Sequence, residues 1–226
     1  MKEAFDSKNY KLYRSLYDLL HPTISRKNIT SYKIVLDDSL VPLRVFYPSK
    51  NTKLEQIIIY VHGDSKEKHL YETLCKNIAL ETDSLVLAID YKENIEKECY
   101  NMIRFILNNI TDVSYDKVAL MGDTSGADIV LKLTTEEEIS INKQIVICPT
   151  LNDVPHKIKK KIPTTLFIRA ELDQNQKKQE KYIHTLKKHN PKSEYNVIEN
   201  TTSDFFGNPN NKKQEECLKI IRNFMI

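Results

Sequence analysis

The chain has 226 residues, 40% of them hydrophobic and 29% charged, and a formal net charge of +3 from 34 basic and 31 acidic side chains. This composition supports one substantial core and excludes a disordered chain. The near balance of charge argues against a nucleic-acid partner, which needs a concentrated basic face, and no apolar run approaches the roughly 18 residues of a membrane span.

Residues 1 to about 28 read as an N-terminal helical cap segment, with the apolar stripe Tyr13, Leu16, Tyr17, Leu19 and Leu20 ended by His21-Pro22. Its first ten residues are polar and lack a signal-peptide core, which points to a cytoplasmic location. Tyr32 to Leu36 and Leu43 to Tyr47 are β-type runs separated by a stretch that opens with Asp37-Asp38-Ser39, a hairpin signal. Ile57 to Val61 is continuously apolar and β-branched, the pattern of a strand buried on both faces. His62-Gly63-Asp64-Ser65 follows it directly.

From there strand and helix alternate. The spacing predicts a helix over Tyr71 to Glu81, a strand over Leu85 to Ile89, a helix over Tyr100 to Ile110 and a strand over Val118 to Met121. Gly122-Asp123-Thr124-Ser125-Gly126 then turns sharply into a segment with helical spacing at Ile129, Val130 and Leu133. Further strands are expected at Ile145 to Cys148, Thr165 to Arg169 and Tyr195 to Ile198, with helices over Gln176 to Lys188 and Gln214 to Phe224. This rhythm implies one α/β domain over 1–226, with a mostly parallel sheet and right-handed crossovers. The Lys157 to Lys161 run reads as a solvated loop. Cys75, Cys99, Cys148 and Cys217 are scattered, so reduced buried thiols are expected. Neither they nor the six histidines have ligand spacing; no metal and no cofactor is expected.

Only four glycines occur, against a usual share of about 7%. Gly63, Gly122 and Gly126 fall in two loops at strand ends and Gly207 in the loop after the last strand. In a chain otherwise nearly free of glycine, backbone geometry must demand it there. A strand, a glycine-flanked corner and a helix make the context of a nucleophile elbow, whose central residue carries a strained backbone.

These stretches resemble the α/β-hydrolase fold, and within it the hormone-sensitive-lipase group of carboxylesterases and acetyl-esterases. Tyr60-Val61-His62-Gly63 resembles the start of that group's H-G-G-G oxyanion loop. Leu87-Ala88-Ile89-Asp90-Tyr91 resembles the strand end that follows. Gly122-Asp123-Thr124-Ser125-Gly126 is similar to the G-D-S-A-G elbow, and Ala170-Glu171-Leu172-Asp173 to the strand end that presents the acid. The resemblance implies helices on both faces of the sheet and, from the short span between Thr124 and Asp173, a reduced cap. It places Thr124 at the nucleophile, Asp173 at the acid, and the backbone N–H groups of Gly63, Asp64 and Ser125 at the oxyanion hole. A small ester or other small-molecule ligand would be the partner.

The departures lie in the chemistry. Thr124 stands where the family has serine, and Ser203 stands where the histidine should be. A serine hydroxyl cannot act as a general base near neutral pH. The neighbouring histidines, His184 and His189, fall on or at the end of the preceding helix. An ionised Asp64 would oppose the charge an oxyanion hole stabilises. Two classes remain: a carboxylesterase using Thr124 with an unorthodox base, or a hydrolase scaffold with a degraded triad kept for binding. Asp173 also reads as a helix N-cap, and Asp90 and Asp123 as structural carboxylates satisfying backbone donors at strand ends.

Overall fold

The computed structural model describes residues 29–36, 39–48, 56–63, 68–91, 95–110, 114–136, 139, 141–152, 154–155, 158, 162–208 and 212–226. The helical segment expected over 1–28 lies outside these residues, as do Asp64 and Ser65. The strands are β1 (Ile29–Leu36), β2 (Ser39–Phe46), β3 (Ile57–Val61), β4 (Leu85–Ile89), β5 (Val118–Asp123), β6 (Lys143–Ile147), β7 (Thr164–Ala170) and β8 (Glu194–Ile198). They form one eight-stranded sheet in the order β1-β2-β4-β3-β5-β6-β7-β8. β1 and β2 make an antiparallel hairpin with Leu36 opposite Ser39, and β2 runs antiparallel to β4. Every other pairing is parallel.

The α-helices among the described residues are α1 (Lys68–Thr82), α2 (Ile95–Asn109), α3 (Ser125–Glu136), α4 (Gln176–His189) and α5 (Lys212–Met225). The sheet separates two apolar layers. Ile57, Ile59 and Val61 of β3 pack with the inner faces of α2, α3 and α4. Ile58 and Tyr60 point the other way, to α1 and α5. A strand so covered must be apolar at every position, which is why β3 and β4 show no alternation.

Boundaries moved where packing outweighed pattern. β2 begins at Ser39 rather than Leu43, because the return strand pairs with β1 right up to the turn. α2 begins at Ile95 rather than Tyr100; Glu96 and Glu98 in its first turn favour the positive helix end, and Cys99 is fully buried beside Met102 and Ile103. Residues 148–163 join β6 to β7, and no helix forms among the described ones.

One polar group crosses the core. Gln144 of β6 is fully buried; its Oε1 accepts from the Thr134 hydroxyl at 2.7 Å, and its Nε2 donates to Thr165 Oγ1 at 2.7 Å. Both threonines keep backbone carbonyl acceptors when the amide is removed. Gln144→Leu should therefore cost only about 1–3 kcal/mol in urea unfolding.

Candidate functional site

The corner forms where expected. Thr124 has φ 48°, a left-handed backbone that costs a β-branched residue on the order of 1–3 kcal/mol. Its N–H donates to Ile147 O at 2.8 Å, extending the ladder to β6. Its carbonyl accepts from Ala127 and Asp128 N–H at 3.1 and 3.3 Å, starting α3. One residue thus closes a strand and opens a helix.

The glycines serve close approach, since none described has positive φ. A Cβ on Gly126 would lie 2.2 Å from Val61 O and 2.5 Å from His62 O. One on Gly122 would lie 2.4 Å from Gly126 O. One on Gly63 would lie 1.7 Å from Thr124 Oγ1. The end of β3, the corner and the first turn of α3 therefore touch backbone to backbone, and the Thr124 hydroxyl rests against Gly63.

Asp123 fixes the loop after β3. Fully inside the fold at 1% exposure, its Oδ1 accepts from the Tyr60 hydroxyl at 2.5 Å and from Gly63 N–H at 3.0 Å. Asp123 thus meets a backbone donor, as expected. The Gly63 N–H, which the family resemblance places at an oxyanion hole, donates to this carboxylate. Burial first, then the adjacent Asp123 charge, pushes the Tyr60 phenol well above its ordinary pKa, so it stays a donor. Asp90 differs from expectation. Its carboxylate pairs with Arg44 at 3.2 Å, while Arg44 also meets Glu72 at 2.7 Å.

His62 lies beside the corner, stacked on Tyr91 with centroids 4.4 Å apart and edge-on to Tyr71 at 4.8 Å. Its Nδ1 donates to Gly63 O at 2.7 Å, and Tyr91 donates to His62 O at 2.6 Å. His184 and His189 are exposed on α4, and the ring of His189 bonds Thr185 O at 3.0 Å. The side chains of His21, His69 and His156 lie outside the described residues. Among the described residues, no imidazole is hydrogen-bonded to the Thr124 hydroxyl.

Asp173 sits at the end of β7, 5% exposed. Its Oδ1 accepts from Asn175 N–H at 2.7 Å and its Oδ2 from Gln179 Nε2 at 2.9 Å. The capping position of α4 is Asn175, so Asp173 supports the helix entrance from two residues upstream rather than as the N-cap. Ser203, half-buried, lies in the turn before Phe205. Its loop runs beside the acid loop: Leu172 N–H donates to Thr201 O at 2.9 Å, and Asn200 N–H to Glu171 Oε2 at 2.7 Å. Ser125 is the first residue of α3, and Asp64 lies outside the described residues. Thr124, Asp173 and Ser203 thus share the carboxyl-terminal edge of the sheet, where open α/β sheets bind ligands.

Two site residues escaped the sequence reading. Asp128 holds the loop after β6, accepting from the Thr150 hydroxyl and, at 2.9 Å, from Leu151 N–H. Burial raises its pKa against those bonds, which lower it. Gln179 is fully buried on the apolar face of α4 with Tyr182, Ile183 and Leu186. A glutamine at the i−3, i−4 and i−7 positions of that stripe was the signal that could have revealed it. The four cysteines are free and buried, as expected, and burial pushes the Cys75, Cys99 and Cys217 thiols up. No helix is long and apolar enough to cross a membrane, and no cluster of metal-type side chains occurs, among the described residues.

Strand order, corner and parallel sheet define the class: this chain has the α/β-hydrolase fold. Residues 58–162 match the family described as the alpha/beta hydrolase fold. A hyperthermophilic esterase from the archaeon Pyrobaculum calidifontis superposes with a TM-score of 0.74 at 17% identity, over 98% of this chain and 93% of that one. A fungal esterase from Rhizomucor miehei gives 0.76 at 14% identity, over 98% and 92%. The vegetative-specific protein H5 of Dictyostelium discoideum is 26% identical over 137 residues, 54% of this chain but only 41% of its own length. Within the fold, the chain resembles the hormone-sensitive-lipase group.

Gly126→Ala should cost about 3 kcal/mol or more, or prevent folding, because the methyl meets backbone oxygens rather than movable side chains; thermal unfolding checks this. Asp128 gives a pH test. Its folded pKa is raised above the ordinary 3.8, so its contribution is intact below that value. It is lost as pH rises through the folded pKa, because the unfolded chain ionises first. In urea unfolding, Asp128→Asn should gain stability relative to wild type between pH 3 and pH 7.

Proposed function

We propose that this chain is an esterase-like α/β-hydrolase with a degraded catalytic triad, weakly active or inactive on carboxylic esters. In this reading Thr124 holds the nucleophile position of the elbow, Asp173 the acid position, and Ser203 the place of the missing histidine. Ester hydrolysis on this scaffold needs a hydroxyl, an imidazole to take its proton, and a carboxylate to orient the imidazole. An unassisted hydroxyl is a poor nucleophile near neutral pH, and general-base help is typically worth 10²–10⁴-fold.

The observation that carries the reading is the surroundings of the Thr124 hydroxyl. It rests on Gly63, with no imidazole bonded to it among the described residues. His62 is held between tyrosine rings with Nδ1 on Gly63 O, while His184 and His189 face outward on α4. The oxyanion side adds support. Gly63 N–H already serves Asp123, which takes one of the donor positions the family uses. A small-molecule ligand at the sheet edge, bound without turnover, fits this arrangement.

The test is hydrolysis of p-nitrophenyl acetate by wild type and Thr124→Ala. Both should stay within about tenfold of each other, since general-base catalysis at Thr124 would separate them by about 10²-fold or more. Wild-type turnover abolished by Thr124→Ala would overturn the reading.

A further inference from the structure

We infer that Gln179 has taken the hydrogen-bonding place of the triad imidazole on Asp173. The inference rests on the degraded-triad reading and adds a residue that holds the acid in its non-catalytic state. In a working triad the acid accepts an N–H from the base and fixes its orientation. Here a side-chain N–H does reach the acid, but it belongs to an amide that cannot accept a proton.

The geometry is specific. Asp173 is 5% exposed, and both its oxygens are engaged: Oδ1 by Asn175 N–H at 2.7 Å and Oδ2 by Gln179 Nε2 at 2.9 Å. The second hydrogen of Nε2 goes to Pro149 O at 2.8 Å. With a carboxylate and a carbonyl as its two neighbours, the amide can face only one way. The cost of that orientation is visible: Gln179 Oε1 is buried and has no hydrogen-bond partner. An orphaned buried acceptor is destabilising, so the position of this side chain is set by what its NH₂ group satisfies.

The bond also spans the site. Pro149 follows β6, whose Ile147 carbonyl accepts from Thr124 N–H at 2.8 Å. Asp173 follows β7, and its loop is bonded through Leu172 to Thr201, two residues before Ser203. One amide therefore ties the acid loop to the strand end next to the corner. An imidazole arriving from position 203 would compete with it for a carboxylate with almost no solvent-exposed surface. Restoring the histidine by itself leaves the acid occupied.

The test follows the imidazole introduced by Ser203→His, titrated by NMR in the full chain. With Gln179 present it should titrate near the ordinary value of about 6.5. With Gln179→Ala added, Asp173 becomes available, and the midpoint should rise to about 7.5 or higher, because a neighbouring carboxylate favours the imidazolium. Further addition of Asp173→Asn should return it to about 6.5. A raised, Asp173-dependent midpoint with Gln179 in place would overturn the inference, as would no rise once Gln179 is removed. If Gln179→Ala does not fold, the Gln179 side-chain NH₂ is read in otherwise wild-type protein. Its amide resonances should shift and lose exchange protection on Asp173→Asn, and unchanged resonances would overturn the inference. None of these outcomes depends on ester turnover, so failure here is separable from failure of the degraded-triad reading.

Discussion

The structure depends on a backbone contact in which no side chain can intervene. Gly126 lies against the carbonyls of Val61 and His62, and Gly122 lies against Gly126 itself. This brings the end of β3, the end of β5 and the first turn of α3 to van der Waals distance. The strain at Thr124 persists because packed strands on both sides over-determine the path between them. Three of the four glycines are used in this way, and their backbone dihedrals are ordinary.

Around that contact, polar groups of the edge are tied to one another. Asp123 takes up Tyr60 and Gly63, Arg44 joins Glu72 to Asp90, Asp128 holds Thr150 and Leu151, and Asp173 holds Asn175 and Gln179. Each of these carboxylates has donors, as buried or half-buried acceptors require. Catalysis asks the opposite of such a site: donors and a base aimed at a reacting atom that is not yet present. The edge keeps the architecture of a hydrolase while its hydrogen-bonding capacity is turned inward.

That contrast separates fold from chemistry. The likeness to esterases at 17% and 14% identity concerns the path of the chain, and function has to be argued from the site. In the proposed reading the side chains that would perform ester chemistry are replaced or occupied, whereas the glycines and buried strands that build the corner are present.

The sequence by itself determined the architecture. Apolar runs without alternation showed which strands are covered twice, periodic helices gave the crossovers, and rare glycines marked the corner. These are short-range signals, because a strand's burial and a helix's stripe are written in adjacent residues. That the loop after the last strand contains no histidine was equally legible, since this is a fact of composition along one loop. Tertiary structure alone decided who bonds to whom across strand ends. Gly63 and Asp123 are 60 residues apart, and Arg44 and Asp90 are 46 apart. Gln179 stands only six residues after Asp173 but 30 after Pro149. A hydrogen bond depends on distance and angle to about half an ångström, and no pattern along the chain carries that precision between separate strands.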